Sequence, residues 1–206
     1  MVWKIVLVFV AAYLMGSIPT AYILGKLVKG IDIRTVGSHN MGTMNTVYTI
    51  GLWAGIVVLI FDLAKGAGAV LLARYLGLSD IYQFIAGIIA ILGHNYPVWL
   101  KFKGGKGGAT AIGATSAFLP QIWFISFPIF LILLFILRTP TISYGIAMVT
   151  FPILGAIFYP ETNIWWFTLI YILIPYLSYI PRLIEMRKKG GSWKHVFKRD
   201  SVKDRF

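Results

Sequence analysis

The chain has no cysteine, so disulfides and thiolate chemistry are excluded and the redox state of its compartment leaves no mark on it. Acidic residues are scarce: seven Asp and Glu stand against nineteen Lys and Arg, a formal net charge of +12. His39, His94 and His195 lie in separate segments with no carboxylate cluster to join them, so neither a metal nor another cofactor is expected. No small-residue cleavage site of the A-x-A kind follows the first apolar run, and too many apolar runs come after it for a secreted domain behind a signal peptide. No internal repeat and no soluble domain are found. What the sequence does contain is apolar surface: 58% hydrophobic and 16% aromatic residues in 206, with a mean hydropathy of +0.79. Those values lie far above a soluble domain and predict an all-α integral membrane protein, one transmembrane domain over residues 1–206. In a soluble protein the charge of +12 would suggest nucleic acid. Here it is distributed by loop, which points to an anionic leaflet and anionic substrates.

Apolar runs over 2–24, 50–73, 81–99, 107–118, 121–137, 141–158 and 164–181 read as helices, ahead of a basic tail at 182–206. At 1.5 Å per residue, about twenty residues cross a hydrocarbon core of about 30 Å. The segment 107–118 is too short for that by itself, unless it extends through the preceding loop or sits within the bundle. Charge decides whether it counts. With seven spans, the loops after spans 1, 3 and 5 share a side with the tail and hold three, three, one and nine Lys or Arg, sixteen of the nineteen. The positive-inside rule then puts the N-terminus outside and the tail in the cytoplasm, against anionic headgroups. A nucleic-acid role would need a folded reader that the tail is too short to provide.

Residues 93–110, GHNYPVWLKFKGGKGGAT, interrupt two apolar runs. Gly104, Gly105, Gly107 and Gly108 permit a tight turn that points successive N–H groups into one concavity. Lys101, Lys103 and Lys106 add positive charge before a helix whose N-terminus favours an anion. The pattern is not Walker A: Leu100 stands where the first Gly belongs, and Gly107 follows Lys106 where Ser or Thr belongs. A basic turn that only sets topology would need the lysines and not the glycines, so the stretch reads as a phosphate-binding loop. Asp62 and Lys65 lie three apart on one face of the second span. An ionised pair inside a membrane helix is either functional or a lock between helices.

The motifs Gly16-Ser17-Ile18-Pro19, Val36-Gly37-Ser38-His39-Asn40-Met41-Gly42 with Asn45, Asp62-Leu63-Ala64-Lys65-Gly66, and above all the run from Gly93 to Thr110, occur in an order and spacing that covers most of the chain. In these the sequence resembles the bacterial membrane family that moves a fatty acyl group from acyl phosphate to glycerol 3-phosphate, the first acylation of phospholipid synthesis. The resemblance implies a seven-span inner-membrane enzyme with a cytoplasmic site. It places Ser38, Asn40 and Asn45 on the family's first motif, and Lys106 with Gly104, Gly105, Gly107 and Thr110 on the loop that binds the donor phosphate. Thr141 falls where members carry a substrate-reaching serine. Thr43-Met44 replaces Ala-Thr, Tyr48 replaces an arginine, and Tyr176 and Tyr179 stand where a His and an Asn are usual. These departures gather on the acceptor side.

An acyl phosphate is a mixed anhydride, so its transfer to an alcohol needs no covalent enzyme intermediate. The protein must align two anions and stabilise charge on the leaving phosphate, which Lys106 and its loop suit. The hydroxyl proton could pass to the substrate's own phosphate, or to His94, which is otherwise a structural hydrogen-bond partner. Ser38 would orient a phosphate or carbonyl oxygen, or cap its loop. The competing class is a transporter or a non-catalytic membrane protein that binds a phosphate-bearing lipid. Paired broken spans around a midplane site would favour it, but the glycine loop lies at the membrane edge.

Overall fold

The computed structural model describes residues 1–160 and 164–193. Among the described residues all regular structure is helical, and the chain divides into two compact units, Met1–Phe118 and Leu119–Phe206.

In the first unit the apolar run expected at 2–24 is longer and broken. Helix α1 covers Val2–Ser17 and α2 covers Thr20–Lys29. Pro19 explains the break, since it lacks an N–H and its ring would strike the carbonyl one turn back. Together the two pieces still make a 28-residue apolar stretch long enough to cross a membrane. The polar segment that follows is not all loop: it contains a 3-10 turn at Ile33–Thr35 and a short helix α3, Thr43–Thr49. Helix α4 spans Leu52–Tyr75 and α5 spans Asp80–Asn95, with a 3-10 turn at Val98–Leu100; α6 is Gly108–Phe118.

These helices meet through small residues. In lipid there is little hydrophobic gain from joining two apolar helices, so close backbone packing must supply the attraction. Gly66 of α4 lies against the Thr110 carbonyl of α6, and a Cβ added to it would sit 2.7 Å from the Ala114 amide nitrogen. Gly113 of α6 presses in turn on the backbone of Leu63. Helix α1 meets α5 in the same way, Gly16 against Ala90 and Gly93 against the Ser17 amide. Around these contacts Val8, Ala12, Ala69, Ala73, Ala86 and Ala90 are fully buried.

The second unit holds α7 (Pro120–Leu137), α8 (Pro140–Met148), α9 (Thr150–Phe158) and α10 (Ile164–Gly190). Prolines open α7 and α8 at positions where a missing N–H costs nothing. The run expected as one helix over 141–158 divides at Val149. Helix α10 passes through Pro175 and Pro181 to Gly190, so the first part of the basic segment expected as a tail at 182–206 is helical. Residues 194–206 lie outside the described residues. Phe151 and Tyr171 are fully buried, whereas Phe124 and Phe135 are 77% and 85% exposed, an outward apolar surface suited to lipid.

Among the described residues, four stretches are long and apolar enough to cross a membrane: Val2–Lys29, Leu52–Tyr75, Asp80–Leu100 and Pro120–Leu137. Helix α6, at 11 residues, covers about 16 Å.

If the α4–α6 contact carries the first unit, Gly66→Ala and Gly113→Ala will each destabilise the protein by about 1–3 kcal/mol, the usual cost of overpacking. Thermal unfolding in detergent should show both midpoints lowered. Gly68→Ala is the control, because a Cβ there meets only Met15 Sδ at 3.8 Å; equal behaviour of all three would refute the assignment.

Candidate active site

The polar segment after α2 is held down by apolar pins. Ile33 and Met41 are buried with Ala21, Val58 and Leu100, so both ends of the 33–41 stretch are inserted into the core. Between the pins the backbone is organised by Asn45. Its Nδ2 donates to the carbonyls of Ile33 (2.9 Å), Val36 (3.0 Å) and Asn40 (3.0 Å), and its Oδ1 accepts from the Ser38 amide at 3.0 Å. Expected as a substrate ligand, Asn45 is buried with its amide committed to the loop. Gly37 has φ +62 and lies against the Asn45 oxygen, so a side chain there is opposed both by backbone conformation and by space. This frame leaves Ser38 and Asn40 half-buried at the loop's surface.

The glycine loop folds back on the end of α5. The Gly104 amide donates to the Asn95 carbonyl and the Gly105 amide to the His94 carbonyl, both at 3.0 Å. These two N–H groups were expected to face an anion; they satisfy orphan carbonyls of a helix C-terminus instead. Both glycines sit so close to α5 that a Cβ on Gly105 would lie 2.8 Å from His94 Cδ2, and one on Gly104 would lie 2.9 Å from the Asn95 oxygen. Gly107, with φ +75, makes the turn into α6, and Lys106 precedes it, half-buried. Thr110, in the first turn of α6, is fully buried with Oγ1 unpartnered.

A residue that sequence reading missed joins the two loops. Arg34 Nη1 donates to the Lys103 carbonyl at 3.0 Å and to that of Leu100 at 3.4 Å. Its guanidinium also pairs with Asp32 at 2.8 Å and lies over the Tyr22 ring, 5.2 Å from the centroid. The hydrogen bond from Arg34 holds the Asp32 carboxyl below the usual carboxylate range, and Asp32 raises Arg34 in turn. With a lowered folded-state value, the pair's contribution is complete above the ordinary Asp pKa and fades as pH falls through the lowered one. The signal in the sequence is faint, because the carbonyls through which Arg34 reaches the glycine loop lie 66 and 69 residues away.

His94 is buried, with Nδ1 3.6 Å from Asp62 Oδ1, and the same oxygen accepts from Lys65 Nζ at 2.5 Å. Thr141 falls in α8, and its side chain lies outside the described residues. Tyr48 stands on α3. In the second unit the Tyr176 hydroxyl donates to the Gly145 carbonyl of α8, and Tyr179 reaches Met186 Sδ at 3.7 Å.

A family model described as glycerol-3-phosphate acyltransferase matches residues 6–186. The chain belongs to the glycerol-3-phosphate acyltransferase family. It is 45% identical over 203 residues to glycerol-3-phosphate acyltransferase 2 of Dehalococcoides mccartyi (strain ATCC BAA-2266 / KCTC 15142 / 195), covering 98% of this chain and 97% of that one. Two solved structures share its fold, both of PlsY (YgiH), an integral membrane glycerol 3-phosphate acyltransferase. The glycerol 3-phosphate form aligns with a TM-score of 0.83 at 28% identity, over 98% of this chain and 95% of that one. The lysophosphatidic acid form aligns with a TM-score of 0.77 at 30% identity, over 91% and 93%. This family member is therefore an all-α integral membrane protein.

Arg34→Ala would release the first loop from the glycine loop. Misplacement of one reacting group by about 1 Å can cost on the order of a hundredfold, so acyltransferase kcat/KM should fall at least tenfold. The thermal midpoint should move little, because the Asp32–Arg34 pair is partly exposed and such pairs contribute about 0–1 kcal/mol. Unchanged kinetics would show that the apolar pins alone set the loops.

Proposed function

We propose that this protein transfers a fatty acyl group from acyl phosphate to glycerol 3-phosphate at the cytoplasmic face of the bacterial inner membrane, releasing lysophosphatidic acid and phosphate. The observation that carries this reading is one joint: the glycine loop with Lys106, fastened by Arg34 to the loop that presents Ser38 and Asn40. PlsY in its glycerol 3-phosphate and lysophosphatidic acid forms represents that neighbour with acceptor and product, and this supports the same pair here.

In this mechanism the acyl phosphate's phosphate rests on Lys106 and the first turn of α6, where ammonium charge and the positive end of the helix act together. Ser38 and Asn40 orient the acceptor. Its hydroxyl attacks the acyl carbonyl, the bond from carbonyl carbon to phosphate oxygen breaks, and the hydroxyl proton leaves on the phosphate of the substrate. The protein contributes alignment, up to about 7–11 kcal/mol, and about 3 kcal/mol for a well-placed donor to the developing charge. Asn45, Gly104 and Gly105 act by shaping the two loops. His94 is 3% exposed between Asp62 and Gly105, a placement that supports a positioning role over that of general base. Thr141 is assigned to the acceptor side on resemblance, and Thr110 to the donor side through its place at the start of α6.

The chain works as one domain over 1–206, a reading supported by a family match that runs across both compact units. Seven spans place the N-terminus outside, α6 being the short fourth. The last turn of α2 with Lys26 and Lys29, and the loops with Arg34, Lys101, Lys103, Lys106 and Arg138, are then cytoplasmic together with the tail, which lies on anionic lipids.

Purified protein supplied with radiolabelled palmitoyl phosphate and glycerol 3-phosphate should form lysophosphatidic acid, and Lys106→Ala should lose it by at least a hundredfold, the scale of one transition-state donor. Absence of product from the wild type refutes the reading. Topology has its own check, eased by the lack of native cysteine. In intact inverted vesicles an impermeant maleimide should label Lys103→Cys and Ser192→Cys and leave Ser79→Cys untouched; the reverse pattern inverts the orientation.

A further inference from the structure

The motif Asp62-Leu63-Ala64-Lys65-Gly66 on α4 has no part in the mechanism above. Asp62 and Lys65 are 2% and 5% exposed, paired at 2.5 Å inside a membrane helix. Burying two charges costs several kcal/mol per ion before their attraction is counted, so the pair needs a reason. The Asp62–Lys65 bond itself joins no two helices, since both residues stand on α4, three apart. A contact that leaves α4 is the approach of Asp62 Oδ1 to His94 Nδ1 at 3.6 Å, beyond hydrogen-bond length, with Nδ1 buried and no hydrogen-bond partner on it.

From His94 the contact continues into the glycine loop. The far edge of its imidazole lies against Gly105, where there is no room for a Cβ, and its backbone carbonyl accepts the Gly105 amide at 3.0 Å. The other end of the loop also returns to α4. Gly66, next to Lys65, abuts the Thr110 carbonyl in the first turn of α6. The two ends of this five-residue stretch of α4 thus reach the glycine loop's entrance, Asp62 through His94, and its exit, Gly66 through Thr110.

We propose that Asp62 and Lys65 are positioning residues for the donor loop. Asp62 fixes the His94 ring behind Gly105, and Lys65 balances the carboxylate's charge, so the loop keeps the curvature that receives the phosphate of acyl phosphate. The proposal rests on the reading of that loop as the donor site, and it predicts an effect confined to the donor.

The test uses the full chain in detergent, with KM measured separately for palmitoyl phosphate and glycerol 3-phosphate. Asp62→Asn combined with Lys65→Met removes both charges and avoids an unpaired one. Its KM for palmitoyl phosphate should rise roughly tenfold or more, with KM for glycerol 3-phosphate within about twofold of wild type. The exchanged pair, Asp62→Lys with Lys65→Asp, keeps the salt bridge and moves the carboxylate away from His94. It should show the same selective rise, and it serves alone if the neutral variant does not fold. Wild-type constants in the exchanged pair, or losses shared equally by both substrates, overturn the proposal. Should the wild type form no lysophosphatidic acid, the proposed reaction fails by itself. Equilibrium binding of radiolabelled palmitoyl phosphate then decides this inference: tenfold weaker binding by the exchanged pair upholds it, and equal binding overturns it.

Discussion

Backbone contact between helices is the constraint on which the rest of the first unit depends. Gly66 and Gly113 let α4 and α6 touch without side chains between them, and Gly16 and Gly93 do the same for α1 and α5. Larger residues at these positions would separate the helices by several ångströms, because packed interiors do not absorb a methyl group by spreading smoothly. The loops gain their placement from this closeness. The 33–41 segment finds a buried seat against α2 and α4, and the glycine loop is short enough to cap α5 and still begin α6 beside Gly66.

The capping has an electrostatic consequence. A helix C-terminus carries partial negative charge on its last carbonyls and would repel a phosphate placed nearby. Here the carbonyls of His94 and Asn95 are covered by the amides of Gly105 and Gly104. Arg34 similarly takes up the carbonyls of Leu100 and Lys103, so four oxygens around the loop are turned away from an anion. On the proposed reading, a phosphate at Lys106 would meet the positive end of α6 with the opposing dipole already engaged.

The membrane class, the apolar helices and a glycine-rich turn between two of them were legible because each depends on local composition: long apolar runs, or four glycines among three lysines, are visible without knowledge of the fold. What local composition missed was set by contact. The break at Pro19 was concealed by apolar residues on either side, since hydropathy does not register a missing N–H. The last helix, read over 164–181, continues through Pro181 to Gly190, because a proline interrupts only a single hydrogen bond and the basic residues beyond it carry the helix on. Asn45 had the chemistry of a ligand, and nothing in the sequence showed that three carbonyls and an amide of its own loop would occupy it. Arg34 stood as one more positive charge in a loop count, although its value is in geometry rather than charge.

That distinction bears on the departures at Tyr48, Tyr176 and Tyr179. The resemblance assigns these positions to the acceptor side, where a substitution would alter affinity through the group it removes and leave the fold intact when the new side chain finds a partner. Tyr176 has done so: its hydroxyl ties α10 to the Gly145 carbonyl of α8. The donor side has less latitude. Gly105 is backed by His94, His94 by Asp62, and Asp62 by Lys65, each buried or in van der Waals contact with the next. A single change at Asp62 or Lys65 leaves a buried charge unpaired, and a side chain at Gly105 strikes the His94 ring, at a cost of about 1–5 kcal/mol. On the proposed reading, acceptor contacts would vary residue by residue, whereas the glycine loop and the α4 motif behind it would change together.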